Sequence, residues 1–217
     1  MKQTMSIDSS LNDKDLRIIS ALDSPVRIQA FLDSISYSSE PVYRCPLQVV
    51  QDRLAHCFDG AVFAAAVLRR IGFPPLIVDM IPDGRDDDHV LALFKQDGHW
   101  GAIAKSNFAG LRYREPIFRN IRELVLSYFE QYYNVEREKT LRGYTLPLNL
   151  KTFDRFDWMT NEKTMERIAQ RLDEIKRFSI LTKKMIANLS AVDERLYRAG
   201  LQGANEAGLY RPEKKIV

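Results

Sequence analysis

Cysteine and histidine are scarce in this chain, whose 217 residues include two cysteines and three histidines. A disulfide-rich secreted scaffold needs many more cysteines, and a structural zinc module draws four ligands from closely spaced Cys and His pairs. Both classes of protein are therefore excluded. Any thiol or imidazole chemistry must come from Cys45, Cys57, His56, His89 and His99.

An excess of charge of one sign is also lacking. The chain carries 32 Lys and Arg against 29 Asp and Glu, a net charge of +3, far below the basic excess typical of a protein that holds nucleic acid. No apolar run reaches the roughly 18 residues that span a bilayer, and the first ten residues are polar. We therefore expect a soluble cytoplasmic protein with free thiols and with no nucleic-acid or membrane partner. The sequence leaves its oligomeric state open.

Breakers and hydrophobic spacing divide the chain into three segments of what we expect to be one domain. Residues 1–44 form a helical lead-in, residues 45–135 a core, and residues 136–217 a helical extension packed on that core. Within the extension, apolar residues at helical spacing predict helices over 161–178 and 182–199.

The core is predicted to contain one buried helix. From residue 57 to residue 71 the chain is apolar on every face for two turns, which is typical of a helix enclosed by other elements. Gly72 and the pair Pro74-Pro75 then end the helix. Further along the core, helical spacing also predicts a helix over residues 118–133.

Short runs of β-forming residues predict strands over 76–81, 89–96 and 99–105. The pair Asp97-Gly98 between the last two indicates a two-residue type I′ hairpin. The turn fixes the register, so that His89 lies opposite Ser106.

The same register predicts what packs on the hairpin. Four apolar residues share the face that carries His89, namely Leu91, Leu93, Ala102 and Ala104. Because alanine is small, we expect the buried helix to approach the sheet closely on this face.

Cys57 begins the buried helix, next to His56. A helix N-terminus and a nearby imidazolium both stabilise a thiolate, so a cysteine here suits nucleophilic chemistry. Taken alone, it is more often a small buried apolar residue. Asp59 is expected to cap the first turn of the helix.

An acidic run occupies residues 83–88. Its spacing fails the EF-hand pattern, because Asp88 stands where glycine is required and Phe94 where the last glutamate belongs. We interpret the run as a solvated loop. The sequence predicts no bound metal and no cofactor.

Three ordered stretches together resemble the core of the bacterial transglutaminase-like superfamily. They are His56-Cys57-Phe58-Asp59-Gly60-Ala61, the helix exit from Leu68 to Pro74, and Asp88-His89-Val90. The resemblance implies an α+β, papain-like core in which a buried central helix packs on a small antiparallel sheet, with flanking N- and C-terminal helices. It also implies that Cys57 is the nucleophile and His89 the general base.

The third catalytic residue of that family is usually an aspartate after a strand tryptophan. Here Trp100 is followed by no acid as far as Asn107. Ser106 lies opposite His89 in the predicted register, whereas Asn107 offers an amide that could hold the imidazole, as in Cys-His-Asn sites. Both residues remain candidates.

The resemblance implies cysteine-dependent acyl transfer, or amide or peptide hydrolysis, on a peptide or another amide-containing substrate. The missing acid motivates an alternative, in which a transglutaminase-like module without catalytic activity serves as a binding or scaffolding domain.

Overall fold

The structure is a computed structural model that describes residues 7–211. Its α-helices are α1 Asp13–Ser20, α2 Pro25–Ser34, α3 Pro46–Asp52, α4 Cys57–Arg70, α5 Ile121–Leu126, α6 Lys163–Glu174, α7 Lys183–Ala187 and α8 Glu194–Gly200. Its strands are β1 Ser36–Tyr37, β2 Leu54–Ala55, β3 Leu76–Pro82, β4 His89–Gln96, β5 His99–Ile103, β6 Arg114–Phe118, β7 Leu141–Thr145, β8 Leu148–Asn149 and β9 Arg177–Ser179. The chain therefore combines helices with sheet, as the sequence predicted.

Seven of the strands form one antiparallel sheet in the order β6-β5-β4-β3-β7-β9, with β8 also paired to β3. β1 and β2 form a separate parallel pair just before α4. Within residues 7–211, no helix is long and apolar enough to cross a bilayer.

The predicted hairpin between β4 and β5 is confirmed. Gln96 pairs with His99, and both turn residues have positive φ, 49° at Asp97 and 80° at Gly98, as a type I′ turn requires. The ladder ends sooner than predicted, however, at the pair Ala92–Ile103.

Just beyond the end of β5, the backbone of Ala104 is bonded to the side chain of Gln29. The Gln29 amide accepts the backbone N–H of Ala104 at 3.0 Å and donates to the same residue's carbonyl at 2.9 Å. In the hairpin register Ala104 lies opposite Leu91 in a pair without backbone hydrogen bonds, so its N–H and carbonyl point away from β4 and are available to Gln29. β5 ends at Ile103, short of the predicted Lys105, and the cross-strand pair His89–Ser106 does not form.

The two faces of the sheet pack against different helices. The α4 face of β4 carries Val90, Ala92 and Phe94, which share one apolar cluster with the buried residues of that helix. The opposite face packs against α5 and carries Leu91, Leu93, Ala102 and Ala104. The expectation that α4 packs on this alanine-bearing face was wrong, because the larger residues of the other face provide its contact.

Two regions predicted to be helical are not helical throughout. The helix predicted over residues 118–133 is shorter, because Phe118 is the last residue of β6 and α5 spans only Ile121–Leu126; Asn120 caps it by accepting the N–H of Glu123 at 2.9 Å. Within residues 136–217, β7, β8 and β9 extend the sheet beyond β3. Along β7, buried and half-buried residues alternate. This two-residue period is that of a strand and differs from the 3.6-residue period of a helix.

The last predicted helices are also shorter than expected. α6 ends at Glu174 and is followed by β9, and the region predicted as one helix over 182–199 holds two, α7 and α8. Asp193 is the N-cap of α8, and its side chain accepts the N–H groups of Arg195 and Leu196.

Candidate functional site

The first turn of α4 is held by a capping box built from His56 and Asp59. His56 Nδ1 accepts the N–H of Phe58 at 3.2 Å, and Asp59 accepts the N–H of His56 at 3.3 Å and that of Arg44 at 2.8 Å. Burial raises the pKa of Asp59 to about 7, although the two N–H donors oppose the shift. The capping role predicted for Asp59 is confirmed, and the box fixes where Cys57 begins the helix.

The side chain of Cys57 is buried, with an exposed fraction of 8%. Its thiol donates to the carbonyl of Asp88, with 3.8 Å between Sγ and oxygen. Burial raises the pKa of Cys57 well above its ordinary value, and the carboxylates of Asp88 and Asp87 raise it further. The resting residue is therefore a protonated thiol, in contrast to the thiolate that the helix N-terminus alone would favour.

His89 lies at the first position of β4 and is also buried. Its Nε2 is 2.8 Å from the carbonyl oxygen of Leu111, and its ring meets Tyr132 edge-on, with 6.5 Å between the ring centroids. Because a carbonyl only accepts, Nε2 carries the proton and the neutral ring keeps its lone pair on Nδ1. Burial lowers the pKa of His89 to about 4, and the positive charge of Arg114 acts in the same direction.

The two residues left open as third partners of the imidazole have other hydrogen bonds. Ser106 Oγ accepts the N–H of Phe108 at 3.0 Å. Asn107 accepts the N–H of Asn205 at 2.7 Å and donates to the carbonyl of the same residue at 2.8 Å. The imidazole is instead held by the Leu111 carbonyl described above, which sequence reasoning did not identify, because any residue type can supply a backbone carbonyl.

A small cavity brings the four residues chosen from the sequence together. Its volume is about 50 Å³, and Cys57, His89, Ser106 and Asn107 all line it. Tyr37 lines it as well, and its hydroxyl is placed to accept the backbone N–H of Cys57, which partly offsets the rise that burial causes in the pKa of Tyr37.

A segment near the C-terminus covers this cavity. Gly208 and Tyr210 contribute to its lining. The segment is anchored by Asn205, which bonds Asn107 and also donates from Nδ2 to the carbonyl of Tyr37 at 3.1 Å. No local pattern in the sequence predicted this cover, because it depends on contacts between residues 98 positions apart.

A larger cavity of about 450 Å³ adjoins the first, and Cys57 lines both. Part of the acidic run that the sequence suggested to be a solvated loop contributes to its wall, through Asp87 and Asp88. Within residues 7–211, no group of three or more His, Cys, Asp or Glu side chains is arranged to hold a metal ion.

Comparisons with known proteins give structural similarity only. No family model and no curated protein matches the chain. Among solved structures it is similar to LapG of Legionella pneumophila, with 12% identity, a TM-score of 0.42, and coverage of 73% of this chain and 93% of that one. The EGTA-treated form gives 12% identity, a TM-score of 0.40 and coverage of 73% and 94%. The calcium-bound form of LapG gives 14% identity and a TM-score of 0.35, with coverage of 46% of this chain and 68% of that one.

Proposed function

We propose that this protein is a cysteine-dependent enzyme that hydrolyses amide bonds or transfers the acyl group to an amine, with Cys57 as the nucleophile and His89 as the general base. The observation that carries the proposal is the shared cavity. A helix-terminal thiol and an imidazole with its lone pair on Nδ1 line the same cavity, and the thiol also borders a larger cavity where a substrate could lie.

The reaction begins when the thiol turns away from the Asp88 carbonyl and its proton passes to Nδ1 of His89. The sulfur then attacks the carbonyl carbon of the amide, and a C–S bond forms. When the C–N bond breaks, the imidazolium returns the proton to the leaving amine. Water or a second amine then attacks the thioester carbonyl carbon and gives its proton to His89; the C–S bond breaks, the acid or the new amide is released, and the imidazolium returns the proton to the departing thiolate.

The surroundings of the two residues support these roles. The carbonyl of Leu111 holds Nε2–H, so the ring keeps the tautomer that leaves Nδ1 able to accept a proton. The backbone N–H of Cys57 is available to an oxyanion once the Tyr37 hydroxyl moves aside. Burial raises the pKa of Cys57 and lowers that of His89, so the resting pair is a neutral thiol and a neutral imidazole.

Mass spectrometry of a peptide library incubated with the protein tests the proposal, with and without an added amine. Cleaved or amine-linked products are expected from the wild type and should be lost in Cys57→Ala and reduced at least about 100-fold in His89→Ala. Cys45→Ala and His99→Ala are the matched controls, because they remove the same side chains outside the two cavities. Products that persist in Cys57→Ala would overturn the proposal.

One observation favours the second candidate, a binding module without catalytic activity. The thiol of Cys57 is hydrogen-bonded to the Asp88 carbonyl rather than to the imidazole. A module of this kind would yield no product with any peptide, and its Cys57 would react with iodoacetamide at the same rate whether or not His89 is replaced by alanine.

A further inference from the structure

Asp79 is a buried acidic residue on the face of the sheet that packs against α4. Side chains alternate between the two faces along β3, so Asp79 shares the face of Ile77, which belongs to the apolar cluster of that helix. Its exposed fraction is 1%, and it borders the cavity of about 450 Å³ that Cys57 also lines. An isolated ionised carboxylate is costly in such a place, because burial removes the water that stabilises its charge.

The surroundings of Asp79 do not compensate a negative charge on its carboxyl. Its Oδ1 is buried and, within residues 7–211, meets no N–H or O–H group from which it could accept a hydrogen bond. The hydroxyl of Thr145 bonds to the backbone of Asp79 instead, because Oγ1 accepts the N–H of Asp79 at 3.0 Å. A neutral carboxylic acid does not need such donors, so the site favours a protonated Asp79.

The carboxyl groups of Asp79 and Asp88 are hydrogen-bonded to each other. Ionised carboxylates only accept hydrogen bonds, so a bond between two carboxyl groups requires that one of them carries a proton. Asp79 is the buried partner, whereas Asp88 is exposed at the cavity. The proton therefore belongs to Asp79, which donates to the carboxylate of Asp88.

The charges around the two carboxyl groups favour the same distribution. Burial raises the pKa of Asp79 well above its ordinary value, and the negative charge of Asp88 raises it further. Desolvation raises the pKa of Asp88 to about 6 with help from Asp87, and the hydrogen bond from Asp79 opposes this rise. Asp173 of α6 raises both pKa values, and Arg177 of β9 lowers both. At neutral pH the two groups together therefore hold one proton and one negative charge.

Asp88 connects these carboxyl groups to the thiol of Cys57. It is the last residue before β4, and its backbone carbonyl accepts the thiol, with 3.8 Å between Sγ and oxygen. Because the carboxylate and the carbonyl belong to the same residue, a bond from Asp79 to the carboxylate also restrains the carbonyl. Asp79 is itself fixed, since it pairs with Val90 in the ladder between β3 and β4.

We propose that Asp79 is a neutral carboxylic acid that donates to the carboxylate of Asp88, and that this acid pair positions the Asp88 carbonyl on the thiol of Cys57. Asp79 is thus a positioning residue, which acts on Cys57 through Asp88. While the pair is intact, the thiol stays on the carbonyl; when the pair is broken, the thiol is free to turn to Nδ1 of His89. The inference rests on the proposed reaction at Cys57 only in that it concerns the resting state of the same nucleophile.

Infrared spectroscopy at pH 7 tests whether Asp79 is protonated, on protein whose aspartates carry carbon-13 in the side-chain carboxyl. The difference between the wild type and Asp79→Asn should contain the isotope-shifted C=O stretch of a carboxylic acid. Asp59, with a pKa of about 7, contributes to this band in both proteins and cancels in the difference. Asp97→Asn, at the exposed hairpin turn, is the control and should keep the full band.

The rate of iodoacetamide reaction at Cys57 tests the positioning role. Asp79→Ala removes the donor without changing the charge of the pair, and the loss of a hydrogen bond to a charged group should raise the rate about ten-fold. Asp79→Asn keeps an N–H donor in the same place, so it should keep the slow rate of the wild type. Cys45, buried at α3, reports general loosening and should stay slow in both variants.

A second pair of variants keeps the test open if Asp79→Ala does not fold. Asp88→Ala removes the acceptor of the acid pair and leaves the backbone carbonyl in place. Asp87→Asn is the matched control, because it removes the same negative charge from the same cavity wall and keeps the side-chain oxygen that accepts the N–H of Asp88. We expect Cys57 to react about ten-fold faster in Asp88→Ala than in Asp87→Asn.

A difference spectrum without the carboxylic acid band would overturn the proposal, and so would equal rates at Cys57 in Asp79→Ala and Asp79→Asn. The same rates measured in the His89→Gln background separate this proposal from the proposed function. Acceleration that persists without the imidazole would leave the acid pair standing and would reject the role of His89 as the base alone.

Discussion

Asn107 and Asn205 are joined by two hydrogen bonds of 2.7 Å and 2.8 Å across 98 positions of the chain. Asn107 follows β5 at the rim of the smaller cavity, and Asn205 begins the segment whose Gly208 and Tyr210 cover it. A Cβ at Gly208 would lie 2.9 Å from Tyr37 Cδ1, so the segment fits closely against the rim. The amide that the sequence suggested as a partner for His89 is thus the anchor of this cover.

Replacing that anchor should expose Cys57. Asn107→Ala removes both bonds to Asn205, and a net contribution of about 1 kcal/mol or less from each hydrogen bond makes the cover open roughly ten-fold more often. We expect the rate of N-ethylmaleimide reaction at Cys57, measured by mass spectrometry of the derived peptide, to rise by that factor.

Two controls separate local opening from general loosening. Cys45 is buried at α3, with an exposed fraction of 1%, and its reaction rate should not change in Asn107→Ala. Asn188→Ala removes an exposed asparagine that bonds to Lys184 within α7, and it should leave Cys57 as slow as in the wild type. Equal acceleration of both cysteines would contradict the anchoring role of Asn107.

Gly60 is the fourth residue of α4 and lies against Lys105, so a Cβ on Gly60 would clash with Lys105 Cβ. Lys105 cannot move aside easily, because its Nζ donates to the carbonyls of Leu32 at 2.8 Å and Ile35 at 2.6 Å. Alanine would otherwise stabilise a helix by about 1 kcal/mol relative to glycine. We nevertheless expect Gly60→Ala to lower the free energy of unfolding by about 2–3 kcal/mol.

Urea unfolding followed by circular dichroism measures this loss. Gly84→Ala is the matched control, because a Cβ there meets nothing within 4 Å, and its free energy of unfolding should stay within about 0.5 kcal/mol of the wild type. A Gly60→Ala protein as stable as the wild type would mean that α4 does not approach Lys105 as closely as described.

Local signals explain which parts of this structure the sequence predicts. The start of α4, its capping by Asp59 and the β4–β5 hairpin each depend on neighbouring residues, and all three are confirmed. The alanines Ala102 and Ala104 predicted the wrong face for α4, because this helix packs on the opposite face, which carries the larger residues Val90 and Phe94. The bond between His89 and the carbonyl of Leu111 could not be predicted, because any residue type can supply a backbone carbonyl.

The last prediction concerns the pH dependence that His89 gives to stability. The buried ring has a pKa lowered to about 4, whereas an unfolded chain binds the proton near the ordinary value of 6.5. The stability that the neutral ring contributes is therefore complete above about pH 6.5 and is lost as the pH falls towards 4. The loss is about 3 kcal/mol by proton linkage.

Other groups titrate in the same pH range, so the contribution of His89 must be measured as the difference in stability between the wild type and a variant that lacks the imidazole. Asp59, with a pKa of about 7, binds its proton more readily in the folded state and opposes the effect of His89, whereas His56, with a pKa of about 4, adds to it. Both contributions cancel when His89→Gln is compared with the wild type at each pH. Glutamine is uncharged and can still donate to the Leu111 carbonyl.

Between pH 7 and pH 4 we expect the stability of His89→Gln relative to the wild type to rise by about 3 kcal/mol, measured by urea unfolding at each pH. His99→Gln, at the exposed end of the hairpin, is the control and should show no comparable rise. If the difference in free energy of unfolding between His89→Gln and the wild type does not change with pH, the imidazole takes up a second proton in the folded state as readily as in the unfolded chain. Nδ1 would then be protonated and could not act as a base.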